Sequence, residues 1–100
     1  MTVTIPKKLE LGGLVIDVKL VSDLDGDEFV RGRAEYKDNE ILIQKSSVDA
    51  PIQEQDYLYA FWHELVHWIL WTMNEDDTRY DEKFVTLFGT LLHQAIRTMK

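Results

Sequence analysis

The chain contains no cysteine. Disulfide bonds and thiolate zinc sites are therefore excluded, and the composition suits a reducing compartment such as the cytoplasm. Basic residues are also few, with 11 Lys and Arg against 18 Asp and Glu and a net charge of −7. Because the basic residues are scattered, the sequence predicts no surface for phosphates, and we expect no nucleic-acid partner.

The sequence also has no N-terminal apolar stretch of the length expected for a secretion signal, and no apolar stretch long enough for a membrane span. Residues 1–13 have neither the apolar core nor the small-residue cleavage pattern of a secretion signal. The apolar run Tyr57–Met73 is shorter than the roughly 20 residues that cross a bilayer, and it carries two His and one Glu near its centre. We therefore expect no membrane partner and predict that this run is a buried helix.

The first half of the chain predicts strands. With 100 residues and 45% hydrophobic content, residues 1–100 are expected to form one small domain. Leu14–Val21 is rich in β-branched residues and follows the turn signal Gly12-Gly13. Arg31–Tyr36 and Glu40–Gln44 are predicted to form a hairpin.

The second half predicts helices. One long helix is expected over Ile52–Met73, with Pro51 in or near its first turn, and a second over Tyr80–Met99, joined by the acidic loop Asn74–Thr78. The first is apolar nearly all round and should be buried. The second shows one apolar stripe, formed by Phe84, Phe88, Leu91, Leu92, Ala95, Ile96 and Met99. The predicted class is α+β, a small antiparallel sheet of about three strands followed by two helices.

An acidic segment, Ser22–Glu28, has Asp at alternate positions, as calcium loops do. An EF-hand loop requires Gly at its sixth position and Glu at its twelfth, whereas this segment has Gly26 fourth and Ala34 twelfth. A solvated acidic turn is the better interpretation.

Residues 63–67 read His-Glu-Leu-Val-His, the HExxH pattern of zinc metallopeptidases. On a helix, His63 and His67 lie one turn apart on one face and can bind the same metal ion. Glu64 lies about 100° round the helix, where it can take a proton from a metal-bound water. The alternative is a coincidental pair of histidines, each hydrogen-bonded in the core without a metal.

A catalytic zinc ion needs a third protein ligand and an open position for water. The downstream candidates are Asp76, Asp77, Asp81, Glu82 and His93. Glu82 and His93 are eleven residues apart, about 16 Å along one helix, so they cannot bind the same ion. Spacing alone leaves the choice open, because Asp81 and Glu82 also suit the first turn of a helix with no other task.

The motif and the following helix together resemble the ImmA/IrrE type of compact zinc metallopeptidase. That family carries HExxH and then a helix of pattern E-x-x-A-x-x-F-A. Glu82 and Phe88 match this pattern, whereas Val85 and Gly89 stand where the family has Ala. The preceding hairpin is also similar, through Gly32, Ala34, Tyr36 and the run Ile41-Leu42-Ile43. The resemblance covers about residues 30–93.

The resemblance implies a zincin-like fold, Zn²⁺ held by His63, His67 and Glu82, and a phage or mobile-element protein acting in a bacterial cytoplasm. We therefore expect an endopeptidase in which Glu64 is the general base. A protein or peptide substrate would lie extended beside Glu40–Gln44. Tyr80 and His93 are the candidates for stabilising the oxyanion. A catalytically inactive, zinc-stabilised interaction module is the main alternative, and hydrolysis of a non-peptide amide is another.

Overall fold

Four strands form a mixed sheet in the N-terminal half of the chain. A computed structural model describes residues 5–22, 24, 31–45 and 54–100. The strands are β1 (Lys8–Leu11), β2 (Leu14–Val21), β3 (Gly32–Glu35) and β4 (Glu40–Gln44), in the spatial order β1-β2-β4-β3. The α+β class predicted from the sequence is confirmed, with helices following the strands.

The sheet differs from the prediction in strand number and direction. Strand β1 was missed, and it pairs with β2 across the Gly12-Gly13 turn, where both glycines have positive φ. The predicted β3–β4 hairpin is present, but β4 also pairs with β2 in parallel, so the sheet is not purely antiparallel. Strand β4 lies between β2 and β3, and its Ile41 and Ile43, which share one face of the sheet, are 0% and 1% exposed in the core cluster that also contains Trp68.

Three helices follow: α1 (Glu54–Thr72), α2 (Asp76–Arg79) and α3 (Glu82–Thr98). Helix α1 packs against β3 and β4 on one side and α3 on the other, as predicted for an apolar helix. Trp68 is fully buried, and its Nε1 donates a hydrogen bond to the carbonyl of Glu40 at 2.9 Å. This bond ties the centre of α1 to the start of β4.

The α1–α2 turn replaces part of the predicted acidic loop. Asn74 has a φ of 61°, and the amides of Asn74 and Glu75 donate to the carbonyls of Trp71 and Leu70. These two bonds form a Schellman motif, which ends α1 and reverses the chain. The prediction of a loop over Asn74–Thr78 was therefore wrong from Asp76 onward, where α2 begins.

Helix α3 presents a narrower face to α1 than its apolar stripe predicted. Val85 and Gly89 are buried in the contact, whereas Phe84, Phe88 and Leu91 are 39%, 47% and 61% exposed. An added Cβ on Gly89 would lie 3.4 Å from the carbonyl oxygen of Trp62, so the backbones of α3 and α1 are close at this position. The two helices approach closely along the side where α3 has least bulk.

Some predictions fall outside the residues that the structure describes. They are the Pro51 helix start and most of the acidic segment Ser22–Glu28, including its three aspartates. Within the described ranges, no helix is long and apolar enough to span a membrane.

Candidate metal centre

Helix α1 holds two histidines on one face. His63 and His67 are one turn apart, and their rings meet edge to face with centroids 5.0 Å apart. Their side chains are 19% and 13% exposed, so both lie at the helix surface beneath a cleft. Burial lowers the pKa of His67, against the opposing charge of Glu82. This favours the neutral imidazole that a metal requires.

Helix α3 brings a carboxylate to the same place. Asp81 is its N-cap, and the Asp81 carboxylate accepts a hydrogen bond from the amide of Phe84 at 3.1 Å. Glu82 is therefore the first helical residue, and the reversal through α2 aims it back at α1. Oxygens Oε2 and Oε1 of Glu82 lie 3.1 Å from Nε2 of His63 and 3.1 Å from Nε2 of His67.

His63, His67 and Glu82 offer three ligand atoms that all lie within 4.8 Å of one another. Of the candidates for a third ligand, geometry brings only Glu82 to the two histidines among the described residues. Two imidazole nitrogens and one carboxylate oxygen are the ligand types of catalytic zinc sites. The Glu82 side chain is 66% exposed, so the cluster faces the cleft.

Glu64 is buried beside this cluster, with 8% of its surface exposed. Burial and then the charge of Glu82 raise the pKa of Glu64 to about 8, whereas a hydrogen bond from the Ala34 backbone and the charge of Arg33 act in the opposite direction. A carboxyl group in such surroundings takes up and releases a proton near neutral pH.

The cluster opens into a cavity of about 390 Å³. Its walls are the three ligands and Glu64, together with Gly32, Arg33, Ala34, Tyr36, Arg79 and Tyr80. Two elements that the HExxH motif does not include therefore complete the site: strand β3 and the helix α2 region.

Arg79 is held rigidly at one side of this cavity. Its guanidinium lies 4.3 Å from the ring centroid of Tyr80 and 5.1 Å from that of Tyr36. Its Nε and Nη2 donate to Oδ1 of Asp76 at 3.2 and 3.0 Å, and Nη2 also donates to the Tyr80 hydroxyl at 2.8 Å. Tyr36 in turn stacks on Trp71 of α1 with centroids 5.2 Å apart.

The remaining sequence candidates lie away from the ligands. Asp76 and Asp77 are exposed acids in the first turn of α2, and Asp81 is the helix cap. His93 stacks on Trp62 with ring centroids 5.9 Å apart, and it lines a different cavity. Of the two residues suggested for oxyanion stabilisation, only Tyr80 lines the metal cavity.

A peptide cannot pair with β4, contrary to what the sequence led us to expect. Strand β4 pairs with β2 on one side and β3 on the other, so it has no free edge. Strand β3 is an outer strand in the part of the chain that the structure describes, and it borders the cavity. Arg31 accepts a hydrogen bond from the amide of Gln44, so alternation along the strand turns the backbone groups of Gly32 and Ala34 outward.

Sequence reasoning missed the roles of Gly32 and Arg79. Gly32 matched a family pattern, but no local signal shows that its missing Cβ makes room for Glu64. Arg79 lies between the predicted loop Asn74–Thr78 and the predicted helix Tyr80–Met99. The available signal was the Arg79-Tyr80 pair close to Glu82, a candidate for the third ligand. No protein family, curated protein or solved structure matches this chain.

Proposed function

We propose that this chain is a zinc-dependent endopeptidase with a minimal zincin-like fold. One observation carries the proposal. His63, His67 and Glu82 converge from two helices, and the buried carboxyl of Glu64 lies beside them. A structural zinc site needs ligands but no adjacent buried acid, whereas hydrolysis needs both.

The donor set fits Zn²⁺. Two neutral imidazoles and one carboxylate would hold the ion and leave one position free. His67 meets the protonation requirement, since burial lowers its pKa, and the carboxylate of Glu82 faces both rings. When bound, zinc supplies Lewis-acid chemistry, lowering the pKa of a coordinated water and polarising the substrate carbonyl.

Glu64 carries the proton. As water attacks the carbonyl carbon, a C–O bond forms, the carbonyl π electrons move to its oxygen, and Glu64 accepts the proton of the water. When the C–N bond breaks, Glu64 delivers that proton to the leaving nitrogen. Burial and then the charge of Glu82 raise the pKa of Glu64 to about 8, against the charge of Arg33, and this value suits an acid that must do both near neutral pH.

The substrate is an extended peptide that pairs with the outer edge of β3. The outward backbone groups of Gly32 and the outward carbonyl of Ala34 border the metal cavity and can hydrogen-bond to a peptide strand, whereas the Ala34 amide already donates to Glu64. Main-chain pairing would lay the scissile bond across the cluster without requiring a particular side chain. A smaller cavity of about 240 Å³, lined by Tyr59 and Ala60 near His63, lies beside it and can take an apolar side chain.

The test measures zinc content and hydrolysis separately. Wild type should bind one zinc ion, and Glu82→Ala should weaken binding, whereas Asp77→Ala, an exposed acid on α2, should not. Glu64→Gln should keep the zinc and lose hydrolysis of a denatured protein mixture, read by mass spectrometry, by about 10²-fold or more. Zinc binding without cleavage in wild type would favour the inactive interaction module, and zinc-free wild type would exclude the enzyme.

A further inference from the structure

We propose that Arg79 binds the anionic oxygen that develops on the substrate carbonyl during hydrolysis. The inference rests on the proposed function and adds a residue that no motif includes. Hydrolysis requires a group that stabilises the carbonyl oxygen, because this oxygen gains a full negative charge in the step in which water attacks.

The guanidinium is placed before any substrate arrives. Its side chain is only 12% exposed, and it is sandwiched between the rings of Tyr36 and Tyr80. Asp76 fixes its angle through Nε and Nη2. A donor that is already oriented costs no rearrangement when charge develops, and this is the condition under which such donors contribute most to rate.

Arg79 still has a donor to give. Of the five N–H groups of a guanidinium, Asp76 accepts two and Tyr80 one. The Tyr36 hydroxyl also bonds to the group, so these contacts account for four of the five N–H groups. The cavity that Arg79 lines is the one that contains all three proposed ligands and Glu64.

The charges in the cavity are divided between two sides. The charge of Arg33, on β3, acts on Glu64, whereas the charge of Arg79 acts on His67. The attacking water must lie next to Glu64, which takes its proton. We place the carbonyl oxygen on the other side of the proposed ligands, near His67, where the charge of Arg79 acts. Arg33 is meanwhile engaged with Glu35 at 3.1 Å.

The experiment measures inhibitor binding to the zinc-loaded full chain, by calorimetry. The main probe is N-phosphoryl-Leu-Ala-amide, whose tetrahedral phosphoryl group carries anionic oxygens. Acetohydroxamate, which chelates zinc directly, is the control probe. The variants are Arg79→Gln, Arg79→Lys and Lys83→Gln. Lys83→Gln is the matched control, because it removes a positive charge next to Glu82 from an exposed position.

Arg79→Gln should weaken phosphoryl binding by about 10-fold or more, while acetohydroxamate and zinc affinities stay within about twofold. The phosphoryl affinity of Arg79→Lys should lie between those of wild type and Arg79→Gln, since lysine keeps the positive charge but not the paired N–H donors of the guanidinium. Lys83→Gln should match wild type. Circular dichroism checks folding. If Arg79→Gln does not fold, the comparison of Arg79→Lys with wild type decides in its place.

Three results would overturn the inference. Unchanged phosphoryl binding in the Arg79 variants leaves the residue a purely structural role. Equal loss of both probes assigns the effect to the metal. Loss that appears only with the free acid N-phosphoryl-Leu-Ala, and not with the amide, makes Arg79 a binding site for a terminal carboxylate. Each leaves a zinc-loaded, active wild type intact, whereas a wild type that binds neither zinc nor probe overturns the peptidase as well.

Discussion

Gly32 of β3 and Glu64 of α1 lie so close that a side chain at position 32 would crowd the carboxyl group. A Cβ built on Gly32 would lie 3.0 Å from Cγ and 3.2 Å from Oε2 of Glu64. The outer strand therefore approaches the proposed base as closely as backbone can, and the Ala34 backbone hydrogen-bonds to the same carboxyl. The strand that would bind substrate also positions the group that would move the proton.

Gly32→Ala should separate metal binding from catalysis. The new methyl group pushes the Glu64 side chain out of place but leaves His63, His67 and Glu82 untouched. We expect zinc affinity within about twofold of wild type and hydrolysis reduced by about 10- to 100-fold, because general-base catalysis depends on position. Metal titration and peptide hydrolysis check this, and full activity in Gly32→Ala would contradict the role given to Glu64.

Gly89→Ala is the matched substitution, and its expected outcome is the opposite. The added Cβ would meet the Trp62 carbonyl oxygen at 3.4 Å, which is ordinary van der Waals contact. Alanine in place of glycine within a helix favours folding by about 0.5–1 kcal/mol. Urea unfolding should show α3 unchanged or stabilised, with hydrolysis retained. A loss of several kcal/mol would mean that the α1–α3 contact is tighter than these distances.

Local spacing predicted what lies on one element and failed where two elements meet. His63 and His67 follow from helical periodicity alone, so both the helix and their shared face were predicted. Glu82 was only one of several candidates, because its position depends on a Schellman turn at Asn74 and on the short helix after it. That turn carries no signal strong enough to give the angle between α1 and α3.

The errors in the fold have the same origin. Strand β1 was missed because four residues alternating Lys, Leu and Glu give little periodic signal, and pairing with β2 stabilises it. Phe84 and Phe88 are exposed because α3 packs on α1 through Val85 and Gly89, which hydrophobicity along α3 cannot show. Strand β4 lies inside the sheet because it pairs with β2 as well as β3. The expectation that a peptide pairs with β4 failed for that reason.

Trp68→Phe should destabilise the fold by about 2–3 kcal/mol. Phenylalanine keeps an aromatic ring near Tyr36, but it removes the Nε1 bond to the Glu40 carbonyl and leaves a cavity at a fully buried position. Trp71→Phe is the control, since Trp71 is 36% exposed and can keep its stacking on Tyr36. Equal loss in both variants by chemical denaturation would mean that the hydrogen bond contributes nothing.

Removing zinc should lower the melting temperature. The proposed ligands come from two separate helices, α1 and α3, and the charge of Glu82 repels the charged form of the buried Glu64. A ligand present at about 1,000 times its Kd adds about 4 kcal/mol to the free energy of unfolding, and each kcal/mol shifts Tm by roughly 4–8 °C in a domain of this size. Calorimetry with zinc and with EDTA measures the shift. Glu82→Gln should reduce this shift. A wild-type Tm that is the same with zinc and with EDTA would contradict the proposed metal site.

His93 should make the protein less stable in mild acid. Burial first and then the charge of Arg97 lower its pKa below the ordinary value of 6.5, and its Nε2 is buried without a partner among the described residues. The unfolded chain therefore binds a proton at His93 more readily than the folded one. The stability tied to neutral His93 is complete above about pH 6.5 and is lost as the pH falls through the folded pKa.

The partner groups around His93 and a matched variant make this testable. Arg97 follows it on α3, and Asp56 of α1 lines the same cavity. His93→Phe keeps a ring on Trp62 but cannot take a proton, so its free energy of unfolding should fall less than that of wild type between pH 7 and pH 5. Urea titrations in EDTA, where His63 and His67 contribute equally to both proteins, isolate the difference. A gap between the two proteins that stays constant with pH would show that His93 takes up its proton equally in the folded and unfolded states.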